Sequence, residues 1–347
     1  MSGEIFVVGS SRSGTNLVRA LLNAQSTLWV SAETHYFDDL RPRLPSGTVR
    51  LEGEARERCE QYFLALSHRA FGQAGDPEQS SVERDELRPL AGELGGSGDA
   101  YFEALCRLRA QRHGRERWGE KTPRHVYRID DVLAAFPEAK VVCLVRDPRA
   151  VVASYKDWHA AGARRGLDEA PEKQADRERT RRSYHPVLMS LLWRGVVRSS
   201  FAGLERHGPE RVRIQRFERL ADDTEAEVRA LCDWLELEFE PAMLEIGVVN
   251  SSYATSGHGV SRETVGRWRE RLSEDEIGVV QSVCGPLMLE LGYSFEPVEP
   301  SRLQLARAWG SVPFAAGRAA VVNRRRLGKA TQYVRRRAGA AFSRGSL

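Results

Sequence analysis

Apolar runs of strand length alternate with longer segments in which apolar residues recur at helical spacing. Residues 5–8 form one run before a helical pattern over residues 17–22, and residues 140–145 form another before a helical pattern over residues 150–155. Such alternation is typical of a parallel sheet with helices on both faces. Three further strand candidates are Leu28–Ser31, Arg117–Gly119 and Val212–Gln215. The pattern predicts an α/β fold of three layers around a central parallel sheet of about five strands.

Three later helix starts are also predicted. Thr224 with Glu227 has the spacing of a capping box, in which the first side chain accepts a hydrogen bond from the backbone N–H three residues on. Ser273 with Glu276 has the same spacing. The Thr122-Pro123 pair is typical of an N-cap followed by proline at the first helical position.

Two segments and the C-terminal end differ in composition from the rest. Residues 72–100 are rich in Gly, Pro, Ser and charge, and residues 161–183 are dense in Arg, Glu and Asp, so both are predicted to be flexible insertions. They interrupt a domain predicted over residues 1–298. Residues 299–347 are predicted to form a basic, Arg-rich extension, because residues 301–347 carry eleven basic side chains and no acidic one.

Composition excludes several classes of protein. The 347 residues are 41% apolar, enough for a sizeable core and too apolar for a chain disordered throughout. No apolar stretch reaches the roughly 18 residues that cross a bilayer, and residues 1–8 lack the pattern of a secretion signal, so a cytoplasmic protein is expected. The five cysteines form no C-x-x-C pair and the eight histidines show no metal-ligand spacing, so neither a disulfide framework nor a metal site is predicted.

The segment Gly9–Asn16 joins the first predicted strand to the helix that follows. Its glycines have the G-x-x-x-x-G spacing of loops whose backbone N–H groups hold phosphate oxygens. Thr15, however, stands where a nucleoside triphosphatase has lysine, and Asn16 where it has the hydroxyl residue that ligates magnesium. An anion here would be met by Arg12, by the hydroxyls of Ser13 and Thr15 and by the helix dipole. None of these groups requires a metal ion, which favours sulfuryl transfer.

A second anion site is predicted where the strand over residues 140–145 ends. Arg146 follows this strand directly, Pro148 can begin a helix, and Ser154 comes eight residues after the arginine. Because the carboxyl ends of parallel strands meet at the same edge of a sheet, Arg146 should face the crevice that contains the first loop.

Both segments resemble a known enzyme family. Arg12-Ser13-Gly14-Thr15 is similar to the 5′-phosphosulfate loop of sulfotransferases that use 3′-phosphoadenosine-5′-phosphosulfate (PAPS), in the form seen in tyrosylprotein sulfotransferases and many bacterial sulfotransferases. The segment Leu144–Ser154 resembles the family's 3′-phosphate motif, in which the arginine and the serine bind the 3′-phosphate of the nucleotide. More diffuse similarity extends over residues 4–295. The resemblance implies a P-loop-like fold, PAPS as the donor and a sulfate ester as the product.

Groups for proton transfer and charge stabilisation are expected at the same edge of the sheet. Glu33 and His35 follow the second predicted strand, so either is a candidate base for the acceptor hydroxyl. Lys121, after the third predicted strand, is placed to meet the leaving group, and Arg12 to meet the transferred group. Glu33 also matches the glutamate that serves as base in tyrosylprotein sulfotransferases, whereas His35 stands where they have arginine and is kept as the alternative. The segment Glu120–Pro123 is similar to a lysine-containing segment of the same family.

Weaker candidates lie elsewhere in the chain. Phe217 and Glu218 fall in a segment similar to the family's Y-E-x-L, and we assign them packing and a structural salt bridge. Ser252 and Arg267 lie where related enzymes close a loop over the 3′-phosphate and adenine, so the resemblance places them among the donor-binding residues. Trp268 is expected either to stack on adenine or to lie in the core. Aromatic candidates for the acceptor pocket are Tyr36, Phe37, Trp118 and Trp158.

The sequence thus predicts a sulfotransferase that moves a sulfuryl group from PAPS to a hydroxyl of a small-molecule, carbohydrate or lipid acceptor, by in-line transfer without a metal ion. One alternative is a P-loop nucleotide kinase or triphosphatase, which would require magnesium. Another is a non-catalytic nucleotide- or nucleic-acid-binding protein that uses the basic extension, although no specific nucleic acid is predicted as a partner. Apolar residues among the arginines of the extension fit an amphipathic segment at the inner membrane face, or a solvated extension.

Overall fold

The five predicted strands are present in the structure, a computed structural model, and all pair in parallel. They are β1 (Ile5–Gly9), β2 (Leu28–Ser31), β3 (Arg117–Lys121), β4 (Lys140–Val145) and β5 (Val212–Arg216). Their spatial order is β2-β3-β1-β4-β5. The structure describes residues 3–45, 48–67, 81–157, 178–246 and 262–323.

Three strands extend further than predicted, to Gly9, Lys121 and Arg216. Lys121 is therefore the last residue of β3 rather than a loop residue. It pairs in register with Val7 of β1, so the sheet itself fixes the position of its backbone.

Helices cover both faces of this sheet and give the predicted three layers. In the described ranges they include α1 (Thr15–Asn23), α2 (Tyr36–Asp39), α3 (Gly53–Ser67), α4 (Arg84–Glu93), α5 (Gly98–Arg112), α6 (Ile129–Ala135), α7 (Pro148–Asp157), α8 (Pro186–His207), α9 (Phe217–Asp222), α10 (Thr224–Leu235), α11 (Glu274–Glu290), α12 (Arg302–Gly310) and α13 over residues 312–323. None of the helices in the described ranges combines the length and apolar content that spanning a bilayer requires.

Each face of the sheet has its own apolar core. Phe6 and Val8 of β1 belong to the cluster formed with α2 to α6, whereas Ile5 and Val7 belong to the cluster formed with α1 and α10. Successive strand residues point to opposite faces, and a strand covered on both sides is therefore apolar throughout. This explains the uninterrupted apolar run at the start of the chain.

A third apolar cluster lies beyond β4, where α7, α8 and α11 pack around Trp193 and Trp268. Leu305 of α12 and Val312 of α13 pack against this cluster. Residues 301–323, the described part of the predicted basic extension, therefore form two helices attached to the domain and not a solvated extension.

The prediction that residues 72–100 are irregular is wrong in its described part, which contains α4 and the start of α5. Leu87 and Ala91 are fully buried on α4 and lie one helical turn apart. Because so few of its positions are apolar and face the core, this charged segment shows no clear helical pattern of apolar residues. Of the second predicted insertion, residues 178–183 are helical and residues 161–177 lie outside the described ranges.

The later helices begin where predicted, but one cap differs. Ser273 Oγ accepts from the backbone N–H of Glu276 at 3.2 Å, and the Glu276 carboxylate accepts from the N–H of Ser273 at 3.0 Å, which confirms this capping box. At the start of α10 the cap is Asp223, not Thr224. The Thr224 hydroxyl instead donates to the carbonyl of Leu220 at 2.8 Å, because α9 ends directly before it.

All five cysteines are free thiols and buried. Burial raises the pKa of each thiol, that of Cys143 to about 12 and that of Cys232 to about 11. The same cause raises the pKa of the remaining three, Cys59, Cys106 and Cys284. At neutral pH these cysteines are therefore protonated packing residues.

Candidate active site

The residues predicted from the sequence motifs collect at the carboxyl edge of the sheet. Gly9 ends β1, Val145 ends β4 and Lys121 ends β3. In open α/β sheets, ligands bind at this edge, in the crevice where the strand order turns back. Because β1 lies between β3 and β4, the residues that follow these three strands lie in one region.

The first loop requires backbone conformations that glycine adopts without strain. Gly9 has φ 134° and Gly14 has φ 95°. A Cβ at position 9 would lie 2.2 Å from the carbonyl oxygen of Leu144, and one at position 14 would lie 2.6 Å from the ring of Phe217. Arg12 between them also has a positive φ of 74°, an unusual value for a side chain of its size. The loop is therefore folded tightly against β4.

The rest of the loop presents buried hydroxyls and a helix N-terminus. Ser13 and Thr15 are buried, and Ser13 Oγ lies 3.1 Å from the carbonyl oxygen of Leu144. Asn16 is half-buried in the first turn of α1, which begins at Thr15 and carries no acidic residue there. The positive end of this helix dipole can therefore hold an anion.

The two predicted anion sites lie side by side. Arg12 Nε donates to Ser154 Oγ at 2.9 Å, and Arg146 Nη1 donates to the carbonyl oxygen of Arg12 at 3.4 Å. The residues of the two motifs are therefore joined directly, although one group follows β1 and the other follows β4.

The position of Arg146 is fixed on several sides. Its guanidinium carbon lies 4.3 Å from the ring centre of Phe217, a cation–π distance, and Nη2 donates to the carbonyl of Thr264 at 3.1 Å. Its own carbonyl accepts from Trp193 Nε1 at 2.8 Å. Phe217 is buried, which confirms its packing role, and it supports both Arg146 and Gly14.

Glu218 accepts hydrogen bonds where a salt bridge was predicted. One comes from the backbone N–H of Asp147 and the other from the hydroxyl of Tyr293, both at 2.8 Å. Burial raises the pKa of Glu218 above its usual value. Glu218 therefore holds the start of α7, and with it the backbone next to Arg146.

The three remaining catalytic candidates form one contact group. Lys121 Nζ donates to Glu33 Oε1 at 2.7 Å, and His35 Nε2 lies 3.3 Å from Glu33 Oε2. The Lys121 side chain is 3% exposed, whereas that of Glu33 is 39% exposed. The carboxylate is thus held from the interior and stays accessible from outside.

At neutral pH both base candidates are in the form that accepts a proton. Burial alone would raise the pKa of Glu33, but the cation of Lys121 outweighs it and the net pKa lies below the usual value. Burial, with the cation of Arg124 nearby, lowers the pKa of His35 to about 4, so its imidazole is neutral. Burial also lowers the pKa of Lys121, against the effect of Glu33.

Glu120 fixes the segment that carries both base candidates, a role that the sequence analysis missed. Its buried Oε1 accepts from the N–H and the hydroxyl of Thr34, each at 2.9 Å, and from the hydroxyl of Thr122. His125 Nδ1 lies 3.2 Å from the other carboxylate oxygen, and Tyr62 donates to the carbonyl of Thr34 at 2.6 Å. Thr34, between Glu33 and His35, is therefore held at its N–H, side chain and carbonyl.

The sequence contained one signal for this role. Glu120 directly follows the predicted strand Arg117–Gly119 of a sheet covered on both faces, and a carboxylate buried there must have hydrogen-bond partners. Thr122 begins the 3₁₀ turn Pro123–Arg128, so the predicted helix start is confirmed in position. Its hydroxyl, however, donates to Glu120 and does not cap the turn.

A small, partly open cavity lies beside the first loop. Its polar wall is formed by Gly9, Ser10, Ser11, Arg124 and Tyr127, and its other wall by Val151, Tyr155, Met189, Leu192, Trp193 and Val196 from α7 and α8. The second wall is largely apolar. This cavity is the candidate acceptor pocket, and the sequence analysis assigned none of these residues to it.

The aromatic side chains predicted for that pocket lie elsewhere. Tyr36, Phe37 and Trp118 are at most 5% exposed and belong to the core between the sheet and α2 to α6, while Trp158 lies outside the described residues. Tyr36 and Phe37 are buried because α2 packs against the sheet, and Trp118 because β3 is covered by helices. The residue type alone does not show whether an aromatic side chain lies in a core or in a pocket.

The late donor-binding candidates are only partly described. Ser252 lies outside the described residues. Arg267 begins a 3₁₀ turn shortly after Thr264, whose carbonyl accepts from Arg146, so this segment adjoins the second anion site. Trp268 is 2% exposed and lies in the core, with Arg149 4.2 Å from its ring centre, so it does not stack on adenine. In the described ranges no three His, Cys, Asp or Glu side chains lie close enough to hold a metal ion.

A solved structure has the same fold. The sulfotransferase domain from the curacin biosynthetic pathway superposes with a TM-score of 0.52 at 20% sequence identity, over 85% of this chain and 99% of that domain. At this level of identity the similarity establishes the α/β architecture alone.

Two curated bacterial proteins are similar to this chain. The omega-hydroxy-beta-dihydromenaquinone-9 sulfotransferase Stf3 of Mycobacterium tuberculosis is 27% identical over 191 residues, which are 54% of this chain and 44% of that protein. The chain thus matches less than half the length of this relative. Nodulation protein NoeE of Sinorhizobium fredii is 24% identical over 361 aligned positions, covering 98% of this chain and 76% of that protein.

The sequence model of the group described as the sulfotransferase family matches residues 4–241. This match begins just before β1 and ends after α10, so it contains all five strands, both motifs predicted to bind anions and the contact group around Glu33. The chain therefore belongs to the sulfotransferase family.

Proposed function

We propose that this protein transfers a sulfuryl group from PAPS to a hydroxyl of an acceptor, as an enzyme of class EC 2.8.2. The observation that supports this proposal best is the direct contact of Arg12 with Ser154, which joins the 5′-phosphosulfate loop to the 3′-phosphate motif. A nucleotide with phosphate groups at both its 5′ and 3′ positions needs two such cationic sites at a fixed distance. A nucleoside triphosphate does not.

The donor is proposed to be held by two sets of residues. The 5′-phosphosulfate would be bound by the backbone and side chains of the first loop, namely Arg12, Ser13, Gly14, Thr15 and Asn16. The 3′-phosphate would be bound by Arg146 and Ser154, with Ser252 and Arg267 closing the site. Guanidinium groups suit this task because they donate several hydrogen bonds to one anion.

The transfer needs a base and cations that stabilise transferred charge. The acceptor oxygen forms a bond to sulfur as the bond from sulfur to the bridging phosphate oxygen breaks, and adenosine 3′,5′-bisphosphate leaves. Glu33 takes the hydroxyl proton in this proposal, with neutral His35 as the alternative base. Arg12 stabilises charge on the transferred group and Lys121 stabilises charge on the leaving oxygen. No residue in this scheme requires a metal ion.

The acceptor is proposed to enter the cavity beside the first loop. Its polar wall includes Ser10 and Arg124, and its opposite wall includes Val151, Met189 and Leu192. This division suits an acceptor with a hydroxyl at one end and an apolar body, such as a small aromatic molecule or a lipid. A carbohydrate would leave its hydroxyl groups against the apolar wall. The mycobacterial relative is named for a menaquinone derivative, which is in keeping with a lipid.

Calorimetry with adenosine 3′,5′-bisphosphate tests the donor assignment without knowledge of the acceptor. We expect saturable binding that EDTA does not change, and no comparable binding of ATP with magnesium. Preference for ATP with magnesium would favour a nucleotide kinase or triphosphatase instead. Binding of neither nucleotide, together with salt-sensitive binding of nucleic acid, would favour a non-catalytic binding protein.

The proposed location is the cytoplasm, where PAPS would be available, with a peripheral contact between the C-terminal extension and the inner membrane face. Cell fractionation tests this part of the proposal. We expect the protein in the cytosolic fraction and in a membrane fraction that high salt releases, because electrostatic contacts with lipid headgroups are screened by salt.

A further inference from the structure

Four apolar side chains on the two C-terminal helices are exposed, and we call the surface that carries them the outer face. Leu303 is 59% exposed, Trp309 42%, Phe314 83% and Val321 67%. These four are more than half of the large apolar side chains that are strongly exposed in the described ranges, and they fall within one short segment. Scattered exposed apolar residues are normal, but a cluster on one element marks a contact surface.

The opposite face of the same helices is occupied. Leu305, Ala308 and Val312 pack against the cluster of α7, α8 and α11, and Ala315 is 4% exposed. Arg318 Nε donates to the carbonyl of Arg182 at 2.8 Å and fastens α13 to the residues before α8. Because the inner face is packed against the domain, the outer face stays exposed and is not part of the domain's own core.

The charge of this segment identifies the chemistry of its partner. Arg302 and Arg307 are exposed on α12 beside the apolar positions. Residues 301–347 contain no acidic side chain, and residues 324–347 add eight basic ones to the chain. Exposed Trp, Phe and Leu flanked by arginine, with no negative charge, match the interface of an anionic bilayer, where apolar side chains enter the acyl boundary and cations meet lipid phosphates.

The turn between these two helices lies near the candidate acceptor pocket. The ring nitrogen Nε2 of His185 lies 3.0 Å from Ser311 Oγ, between α12 and α13. His185 caps α8, and its carbonyl accepts from the N–H of Met189, which lines the pocket. One helical turn of α8 therefore separates the C-terminal helices from the pocket wall.

We infer that the outer face of α12 and α13, formed by Leu303, Trp309, Phe314 and Val321 with Arg302 and Arg307, docks on the surface of an anionic phospholipid bilayer. The inference rests on the proposed peripheral membrane contact and specifies its surface and its lipid.

Co-sedimentation with vesicles tests this surface, using point variants of the full-length chain. Removing residues 301–347 would delete Leu305 and Val312 and uncover the apolar cluster of α7, α8 and α11 against which they pack. The domain would be destabilised, so truncation is a poor test. We expect the protein to bind vesicles that contain phosphatidylglycerol, to bind pure phosphatidylcholine weakly, and to be released by salt. The double variant Leu303→Ser/Phe314→Ser should bind phosphatidylglycerol vesicles at least about tenfold more weakly than the wild type, since it loses two apolar side chains from the interface.

The chain offers a matched control. Leu289 is 61% exposed near the end of α11, almost as exposed as Leu303, but lies outside the proposed surface. Leu289→Ser should bind vesicles like the wild type. Equal weakening by both substitutions, equal binding to both lipids, or an unchanged double variant would overturn the inference. So would self-association in sedimentation velocity that the double variant abolishes, because a second copy would then cover the face.

Binding of adenosine 3′,5′-bisphosphate is measured on the same variants. Unchanged nucleotide binding with lost vesicle binding is the expected result, and it shows that the fold is intact. Failure of nucleotide binding in the wild type would reject the donor assignment and leave the vesicle result to stand on its own.

Discussion

Arg12 Nε lies 2.9 Å from Ser154 Oγ, so a side chain of the loop after β1 is hydrogen-bonded to a side chain of α7. Arg146, which precedes α7, donates in turn to the carbonyl of Arg12. The two motifs are therefore one physical unit. A substitution in either motif should change the affinity for a ligand that occupies both.

Arg146→Ala should weaken the binding of adenosine 3′,5′-bisphosphate by about ten- to a hundredfold, because it removes charge-assisted hydrogen bonds worth about 1.5–3 kcal/mol. Titration calorimetry measures this affinity. Arg229→Ala is the control, since Arg229 is an exposed arginine of α10 that pairs with Glu225. An equal loss in both variants would show that only net charge matters, against a specific site.

Glu33→Gln should lower kcat by about a hundredfold or more and leave the affinity for adenosine 3′,5′-bisphosphate nearly unchanged, because the amide keeps the shape and cannot accept the proton. His35→Asn is the comparison, since asparagine tolerates the positive φ of 56° at this position. Steady-state kinetics with the identified acceptor measures both. If His35→Asn loses more kcat than Glu33→Gln, the base is His35.

Glu120→Ala should lower the free energy of unfolding by about 3 kcal/mol, because the buried N–H of Thr34 and hydroxyl of Thr122 lose their acceptor. Glu120→Gln keeps an oxygen at that point and should be much less destabilised. Urea unfolding measures both. If Glu120 positions the base, kcat falls in Glu120→Ala with little change in the KM for the donor, and Glu120→Gln restores most of it. Full activity in Glu120→Ala would contradict a positioning role.

Stability should fall as the pH is lowered from about 6.5 to about 4, in part because of His35. Its pKa is lowered to about 4 in the folded state, so over this range the unfolded chain binds a proton that the folded chain does not. The contribution of this group is of the order of 2 kcal/mol once partial exposure is allowed for. Unfolding of the wild type and of His35→Asn across this range measures it. Parallel pH curves for the two proteins would rule out the lowered pKa.

The central strands β1 and β4 could be predicted from the sequence because they are buried on both faces, which leaves short, continuous apolar runs. β3 and β5 carry charged residues and give a weaker pattern. The ends of the strands could not be predicted, because a polar residue such as Lys121 still pairs with β1. The helix α4 could not be predicted, since its burial depends on Leu87 and Ala91 meeting α5, a tertiary contact. The many charged residues of this segment led to the prediction of an irregular insertion.

Site residues could be predicted from the sequence where glycines and functional side chains stand at a fixed spacing within one loop. Gly9, Arg12 and Gly14 belong to one turn, and their spacing carries the geometry. The link from Glu120 to Thr34 spans 86 residues and has no local pattern. The pocket wall is likewise assembled from α7 and α8, so residues such as Met189 could be assigned only after the helices were placed.

The burial of every cysteine makes the chain a ready background for site-specific labelling. A maleimide reacts with the thiolate, and raised pKa values such as that of Cys232, together with burial, keep the native thiols unreactive under mild conditions. A single cysteine introduced on the surface would therefore be the one labelled position, with no need to remove native residues from the core. A fluorescent dye attached in this way would report polarity at any chosen point of the surface.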